Sequence, residues 1–317
     1  MKIVVAGGTG FLGGPLTESL VADGHNVVVL SRSEQARVPR GARAVAWDLQ
    51  RTLAPWATEI DGADAVVNLA GEPIAKHRWT AAQKHRIEDS RVLATRRLVT
   101  AIAEAAAPPA VLVSGSGVGF YGPCGDEVVT EDTGAGHDFL AGVCRRWEAQ
   151  AVAASSARTR VVCIRTGLVL ERDGGALPKM LPPFWFGAGG PLGGGRQYWP
   201  WIHREDWVNL VRFSLDAPDA VGPLNATAPN PVTNADFARE LGRALRRPSF
   251  MPTPGLALRA LLGEMAGALL LSGQRAVPSK AERLGFTFAY STLPAALAAL
   301  FPVRRGGSSD PAARRRV

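Results

Sequence analysis

Cysteine and histidine are scarce in this chain of 317 residues, which contains three cysteines and five histidines. Cys124, Cys144 and Cys163 lack the spacing of metal-binding cysteines, and the histidines form no ligand cluster, so the sequence predicts no metal site. A small, odd number of thiols is typical of proteins in a reducing compartment. We therefore expect a cytoplasmic protein whose thiols are buried or idle.

Long apolar runs are also missing, and the positive charge is concentrated at one end. No run reaches the ~18 apolar residues of a membrane-spanning helix, and the chain opens as a strand rather than as a signal peptide. The net charge is +8, but residues 304–317 hold five arginines against one aspartate and supply +4 of it. We expect residues 302–317 to be a disordered, arginine-rich tail. The mildly basic remainder favours a small anionic ligand and predicts neither a nucleic-acid nor a membrane partner.

A glycine-rich turn lies directly after the first predicted strand, residues 2–6. Helical spacing of apolar residues continues to residue 21, after a turn with the sequence Gly7-Gly8-Thr9-Gly10-Phe11-Leu12-Gly13. Gly7 permits a tight turn, Gly10 lets a ligand approach the backbone, and Gly13 allows close packing of helix on sheet. The N–H groups of the turn and the positive end of the helix dipole face an anion. This arrangement predicts a dinucleotide pyrophosphate site, and a purely structural turn is the alternative.

The end of the second predicted strand, residues 26–30, indicates which dinucleotide binds. An NAD site usually places an acid there for the ribose 2′-hydroxyl, whereas this strand runs into Ser31 and Arg32. A guanidinium pairs with a 2′-phosphate, so we predict NADP(H) rather than NAD(H); an ordinary solvated arginine is the alternative. Asp48 and Leu49 follow the third strand at a usual adenine-contact position. Leu69, Ala70 and Gly71 follow the fourth strand beside the cofactor.

Strands and helices alternate through the first two-thirds of the chain. This alternation predicts an α/β fold with a Rossmann-like, doubly wound parallel sheet and a smaller C-terminal α/β substrate lobe. We interpret residues 1–170 as the NADP-binding domain, with returning segments at about 200–230, and residues 171–301 as the substrate lobe, which includes residues 248–301. The remaining strands are predicted at 42–47, 64–69, 110–114, 160–165 and 222–226. Helices are predicted at 80–106, 138–154, 204–215, 234–245, 256–271 and 293–300.

An ordered set of motifs, together with the glycine turn, identifies a family resemblance. They are Asn68-Leu-Ala-Gly-Glu-Pro-Ile74 with Arg78-Trp79, Ser90-Arg91 with Thr95, Asp138-Phe-Leu with Trp147-Glu148, Arg165-Thr-Gly-Leu-Val-Leu170, Gly189-Gly-Pro-Leu-Gly193 and Trp201-Ile-His-Arg-Glu-Asp206. The chain resembles the extended short-chain dehydrogenase/reductase superfamily over residues 1–301. Within it, the chain is similar to the atypical branch of predicted nucleoside-diphosphate-sugar epimerases, which have a C-terminal domain of unknown function. Relatives of this fold occur as monomers or homodimers, so both states stay open.

The resemblance also implies a catalytic group that this chain lacks. The superfamily uses a serine and a Tyr-x-x-x-Lys motif, in which tyrosine exchanges a proton while hydride moves to or from the nicotinamide. Ser114 fits the serine, with Ser116 as a second candidate. Counting back from Glu148 places Leu140 at the tyrosine and Cys144 at the lysine, and neither side chain can replace the expected one.

Several other residues are candidates for the missing roles. Arg91 stands where the superfamily usually has an active-site asparagine, so we assign it to the cofactor side and as a source of positive charge. Tyr121 is the best substitute proton donor, with a packed or substrate-positioning tyrosine as the alternative. Arg165 binds a substrate phosphate or carboxylate, or else forms a structural ion pair.

A later aromatic and basic segment resembles the lid over the substrate in extended members. We assign Ser116, Arg165, Tyr198, Trp199 and His203 to substrate binding. Trp199 stacks on a base or fills the core, and His203 donates a proton or is a hydrogen-bonded structural histidine. Two functions stay open: an NADP(H)-dependent epimerase or oxidoreductase acting on a small, anionic or nucleotide-linked substrate, and a non-catalytic NADPH-binding sensor or regulatory protein.

Overall fold

The central sheet is built from short apolar strands whose side chains are buried on both faces. The computed structural model describes residues 1–49 and 55–302, so the predicted tail lies outside the described residues from residue 303 onward. Continuous valine- and isoleucine-rich runs are typical of parallel strands covered by helices on both sides. The strands are β1 (Lys2–Ala6), β2 (Asn26–Ser31), β3 (Arg43–Ala46), β4 (Ala65–Asn68), β5 (Val111–Gly117), β6 (Val128–Val129), β7 (Arg160–Thr166), β8 (Leu168–Leu170), β9 (Tyr198–Trp199), β10 (Trp201–His203), β11 (Gly222–Ala226), β12 (Val232–Thr233) and β13 (Arg275–Ala276).

Seven of these strands pair in the order β3-β2-β1-β4-β5-β7-β11, and every pair is parallel. The strand order reverses between β1 and β4, where the two halves of a doubly wound sheet meet. In such sheets the ligand binds beyond the carboxyl ends of the strands at this switch point. The predicted Rossmann-like fold class is confirmed.

Helices cover both faces of the sheet. They are α1 (Gly13–Ala22), α2 (Ala81–Glu104), α3 (Phe139–Val152), α4 (Leu177–Trp185), α5 (Arg204–Asp216), α6 (Asn234–Leu245), α7 (Gly255–Leu262), α8 (Glu264–Ala266), α9 (Ser279–Arg283) and α10 (Leu293–Leu300). Helices α1 and α5 bury apolar side chains against one face, and α2 and α3 against the other. A separate core joins α4, α6 and α10 with β9 and β10.

Two predicted boundaries were wrong, and both affect the candidate site. Strand β5 continues to Gly117 rather than ending at Ser114. Ser114 therefore lies within the strand, where it is fully buried. The helix predicted over residues 256–271 is interrupted at Gly263, which has a φ of 65°. A residue with positive φ ends a helix, so α7 stops at Leu262 and a π-helical turn, Gly267–Leu271, follows α8.

Candidate dinucleotide site and adjoining cleft

The glycine turn packs so closely on itself that side chains are excluded. Gly7 has a φ of 81°, and a Cβ placed on it would lie 2.9 Å from the carbonyl carbon of Leu69. A Cβ on Gly13 would lie 2.2 Å from the carbonyl oxygen of Gly7. The Gly10 N–H donates to the same Gly7 oxygen at 3.0 Å. The turn therefore depends on glycine at its first and last positions.

The N-terminus of α1 is open to an anion. Its N-cap, Leu12, gives no side-chain hydrogen bond, and the first turn of the helix contains no acid. Phe11 is half-buried, because the loop at Gly174 and Gly175 lies against its ring and Arg204 stacks at 5.5 Å from the ring centre. The N–H groups and the helix dipole are thus left for a ligand phosphate.

The end of β2 presents a cation to solvent. Arg32 is exposed, and its side chain makes no hydrogen bond or ion pair with any residue that the structure describes. Ser31, at the last position of β2, accepts a backbone hydrogen bond from Trp47 at 2.6 Å through its carbonyl oxygen. Asp48 is exposed, whereas Leu49 is half-buried against the sheet. These positions are compatible with the predicted 2′-phosphate and adenine contacts.

A buried asparagine fixes the segment after β4. Asn68 is fully buried, donates from Nδ2 to Thr95 Oγ1 at 2.8 Å, and accepts from the Ala70 N–H at 3.2 Å. This pair positions Leu69, Ala70 and Gly71 beside the switch point. The sequence motifs included Asn68 and Thr95, but only the structure shows that they hold the cofactor-side loop.

Arg91 lies next to that loop as a cation without a carboxylate partner. Its Nη1 donates to the carbonyl oxygens of Glu72 at 3.0 Å and Ile87 at 2.8 Å, and no ion pair involves it within the described residues. The guanidinium stacks 5.1 Å from the centre of the Trp147 ring, and a Cβ on Gly71 would lie 3.0 Å from its central carbon. Burial lowers the pKa of Arg91, but a guanidinium stays charged at neutral pH.

The positions of the missing tyrosine and lysine are filled by neutral side chains. Leu140 packs in an apolar cluster of α2 and α3 residues with Met265 and its neighbours from the C-terminal part of the chain. Cys144 is buried near Gly117, and burial raises the pKa of its thiol to about 11. At neutral pH this thiol is protonated and carries no charge. Neither side chain can supply the acid–base pair that the resemblance implies at these two positions.

A buried ion pair occupies the interior beside the end of β5. Arg165 is 3% exposed and donates from Nε and Nη2 to the two carboxylate oxygens of Glu148, both at 2.9 Å. Ser116 Oγ donates to the same carboxylate at 2.6 Å. Burial opposes charge on Arg165, but the hydrogen bonds and charge of Glu148 outweigh it and raise its pKa. Arg165 thus forms the ion pair that was one of its two predicted alternatives, and its assignment to substrate binding stays a prediction.

The geometry also argues against two of the predicted catalytic residues. The Tyr121 hydroxyl donates to Asn225 Oδ1 at 2.7 Å and accepts from Arg165 Nη1 at 3.0 Å, and the residue is 3% exposed. Burial raises the pKa of Tyr121 to about 12. Ser114 is fully buried inside β5, and its hydroxyl donates to the neighbouring Gly115 carbonyl at 3.4 Å, its one side-chain hydrogen bond within the described residues. Among the predicted serines, Ser116 lies nearer the carboxyl end of the strand.

The aromatic segment around β9 and β10 contributes mostly to the core. Trp199 is 6% exposed and packs 5.2 Å from Phe237, ring centre to ring centre. His203 accepts at Nδ1 from the Glu205 N–H at 3.2 Å and so caps α5. Tyr198 is half-buried, with the Arg275 guanidinium 5.0 Å from its ring centre. Trp199 therefore fills the core and His203 is hydrogen-bonded to the backbone, as their structural alternatives predicted. Tyr198 is only partly buried.

The described residues contain neither a metal-binding cluster nor a membrane-spanning helix. No group of three or more His, Cys, Asp or Glu side chains there is placed to hold a metal ion. None of the helices within residues 1–49 and 55–302 has the length and apolar character needed to cross a membrane.

Two family models match the chain. One, described as NAD dependent epimerase/dehydratase family, matches residues 3–226, and the other, domain of unknown function DUF1731, matches residues 253–300. The chain therefore belongs to the NAD-dependent epimerase/dehydratase family. The second match confirms the predicted resemblance to the branch with a C-terminal domain of unknown function.

The similar proteins include members of the SDR39U1 type. The chloroplastic SDR39U1 homolog of Arabidopsis thaliana is 43% identical over 303 residues, which cover 95% of this chain and 86% of the relative. The crystal structure of human SDR39U1 (isoform2) with NADPH has a TM-score of 0.85 and 36% identity, and covers 95% and 99% of the two chains. A nucleoside-diphosphate sugar epimerase from Corynebacterium glutamicum has a TM-score of 0.75 and 36% identity, and covers 95% and 58%. The human relative was crystallised with NADPH, which agrees with the NADP(H) predicted for this chain.

Proposed function

We propose that this protein binds NADP(H) across the switch point and uses it in an oxidoreductase or epimerase reaction on a small anionic substrate. The observation that carries the proposal is the unpaired Arg91 cation beside Gly71. In this fold the dinucleotide crosses the switch point, with the adenosine half over β2 and β3 and the nicotinamide half over β4 and β5. Arg32 and Arg91 therefore serve opposite ends of one cofactor groove.

Different parts of the chain bind different parts of the dinucleotide. The open N-terminus of α1 holds the pyrophosphate, and Arg32 pairs with the 2′-phosphate. Asn68 keeps the loop at Ala70 and Gly71 in place, so the backbone there lines the nicotinamide half. Neutral Cys144 adds no charge at the position where the superfamily has its lysine.

Arg91 supplies a different chemistry from the usual tyrosine. Bound NADPH supplies a hydride to a carbonyl carbon. Arg91 places a fixed positive charge where the substrate oxygen becomes negative, which stabilises that charge without donating a proton. Ser116 commits its own proton to Glu148, so it contributes to the substrate side as a hydrogen-bond acceptor rather than as a proton donor. Solvent then protonates the product oxygen, and an anionic substrate group adds to the attraction of Arg91.

Binding is tested with Arg32→Ala in a titration of NADPH and NADH by fluorescence. Loss of a charge-assisted bond of about 1.5–3 kcal/mol weakens NADPH by roughly 10- to 100-fold and leaves NADH almost unchanged. Arg145→Ala, at an exposed arginine on α3, is the matched control. Equal loss for both dinucleotides in Arg32→Ala contradicts the 2′-phosphate contact.

Turnover is tested by screening carbonyl compounds with anionic groups for NADPH oxidation, and alcohols for the reverse reduction. On any substrate found, Arg91→Gln lowers kcat by about 10²- to 10³-fold, the usual effect of losing one such donor, and Arg91→Lys keeps part of the rate. Wild-type kcat in Arg91→Gln contradicts the assignment.

The second candidate is a non-catalytic NADPH-binding protein. It is favoured by the burial of Tyr121 and by Leu140, which puts hydrocarbon where the superfamily places its proton donor. This candidate predicts tight NADPH binding with no turnover in either direction across the same screen. Because both candidates share the Arg32 test, the turnover screen is the experiment that separates them.

A further inference from the structure

One face of the protein concentrates large apolar side chains in solvent. Six such residues, which we call the apolar patch, are each about half exposed or more. They are Trp185, Phe186, Phe250, Met251, Leu256 and Leu261. Phe186 is 86% exposed and Leu256 is 82% exposed. Contiguous apolar surface of this kind marks a contact site, whereas single exposed residues do not.

The patch comes from two stretches of chain that are joined by backbone hydrogen bonds. The Met251 N–H donates to the Gly189 carbonyl at 3.1 Å, and the Thr253 N–H donates to the Pro191 carbonyl at 2.9 Å. The Gly193 N–H in turn donates to the Thr253 carbonyl at 2.8 Å. The loop after α4 and the segment leading into α7 therefore form one continuous face.

Helix α7 is apolar but contributes little to the core, since only its last residue, Leu262, packs against a buried apolar cluster. Its sequence is Gly-Leu-Ala-Leu-Arg-Ala-Leu-Leu, and none of its eight residues is buried. An amphipathic helix normally hides its apolar side against the protein. Leu256 and Leu261 instead point away from the fold, so α7 extends the patch.

The same two stretches contain no acidic residue. Residues 174–204 and 241–263 have neither aspartate nor glutamate. The side chains of Arg246, Arg247 and Arg259 are exposed and form no hydrogen bond or ion pair with any residue of the described ranges. Unpaired cations thus accompany the apolar side chains, and the charges within these two stretches are all positive.

We propose that this face docks on an anionic lipid surface without spanning the bilayer. Exposed aromatic and leucine side chains enter the headgroup region while arginines stay among the lipid phosphates. A second copy of the chain is disfavoured as the occupant, because two cationic faces repel each other. Side chains that are 75–86% exposed, such as Phe250 and Phe186, project from the surface rather than line a groove for a peptide. A bilayer accepts projecting groups and requires no matching shape.

The test is co-sedimentation of the full chain, with NADPH present, with vesicles of phosphatidylcholine and phosphatidylglycerol in equal amounts. We expect binding to these vesicles, none above background to pure phosphatidylcholine, and loss of binding when the salt concentration is raised. The double variant Arg246→Gln/Arg247→Gln weakens binding by about 25-fold, since each arginine contributes about fivefold. Phe186→Ser/Phe250→Ser weakens it by at least about tenfold through lost apolar burial.

Two controls separate the patch from other causes. Val152 is also about half exposed, at 50%, but lies on α3 outside the patch, so Val152→Ser binds vesicles like the wild type. Because the tail is basic, Arg314→Gln/Arg315→Gln/Arg316→Gln is included and keeps at least most of the binding. No binding to the anionic vesicles, equal binding to phosphatidylcholine, or loss only in the tail variant overturns the proposal. NADPH affinity stays unchanged in the patch variants, so failure here leaves the proposed function untouched.

Discussion

Glu148→Gln tests whether the Arg165–Glu148 pair is a structural element. The two side chains are 4% and 11% exposed, and both carboxylate oxygens accept from the guanidinium at 2.9 Å. Glutamine keeps the shape and one acceptor, but it turns an N–H₂ group towards an N–H donor of Arg165. The variant therefore leaves a buried cation uncompensated, and Ser116 keeps at most one acceptor in place of a carboxylate.

Removing one partner of a buried pair costs about 3–5 kcal/mol, because the remaining charge stays out of water. That is a large share of the 5–15 kcal/mol typical of a folded domain. A surface pair gives the contrast. Glu88 and Arg146 are 27% and 46% exposed, and such pairs contribute about 0–1 kcal/mol.

Urea unfolding followed by circular dichroism measures both effects. We expect Glu148→Gln to lower the free energy of unfolding by about 3–5 kcal/mol and the control Glu88→Gln to change it by less than about 1 kcal/mol. The double variant Glu148→Leu/Arg165→Met is expected to lose less than Glu148→Gln, since it removes both charges together. A Glu148→Gln variant as stable as Glu88→Gln refutes the structural assignment and returns Arg165 to the list of substrate ligands.

Two further outcomes follow from the site. Gly13→Ala abolishes NADPH binding in a fluorescence titration, because its Cβ meets the Gly7 carbonyl oxygen. The control Gly14→Ala binds NADPH normally, because a Cβ there has nothing within 4 Å. Equal NADPH affinities of the two variants contradict the close-packed turn. Burial lowers the pKa of His203, so the unfolded chain takes up its proton first and stability falls as the pH drops below about 6.5. His203→Asn, which keeps a capping acceptor for Glu205, is expected to flatten that part of the unfolding-versus-pH curve, and an unchanged slope contradicts a neutral buried histidine.

The fold and the cofactor turn could be predicted because both depend on local pattern. Valine-rich strands such as β1 and β2 alternate with helices, and Gly7 and Gly13 have the spacing that a phosphate-binding turn requires. Positive φ at Gly7 and the absence of space at Gly13 are local consequences of those glycines. Arg32 was predicted in the same way, since it directly follows a strand, and its contact with the 2′-phosphate stays a prediction.

The surroundings of the predicted catalytic residues could not be predicted, because they depend on contacts between distant parts of the chain. Tyr121 is placed by Asn225, 104 residues away, and Arg165 is paired with Glu148 on a different element. No spacing in the sequence reveals those partners. The end of β5 also depends on its pairing with β7, which carries the strand on to Gly117.

The position that the resemblance assigns to the tyrosine is in contact with the C-terminal part of the chain. Leu140 lies in a cluster with Phe139 of its own helix and with Met265, which follows the interruption at Gly263. Leu140 is half-buried in this cluster, so its position holds hydrocarbon and no proton donor. The proposed chemistry therefore relies on a charge from another helix, and the structure places Arg91 of α2 beside Glu72 and Trp147.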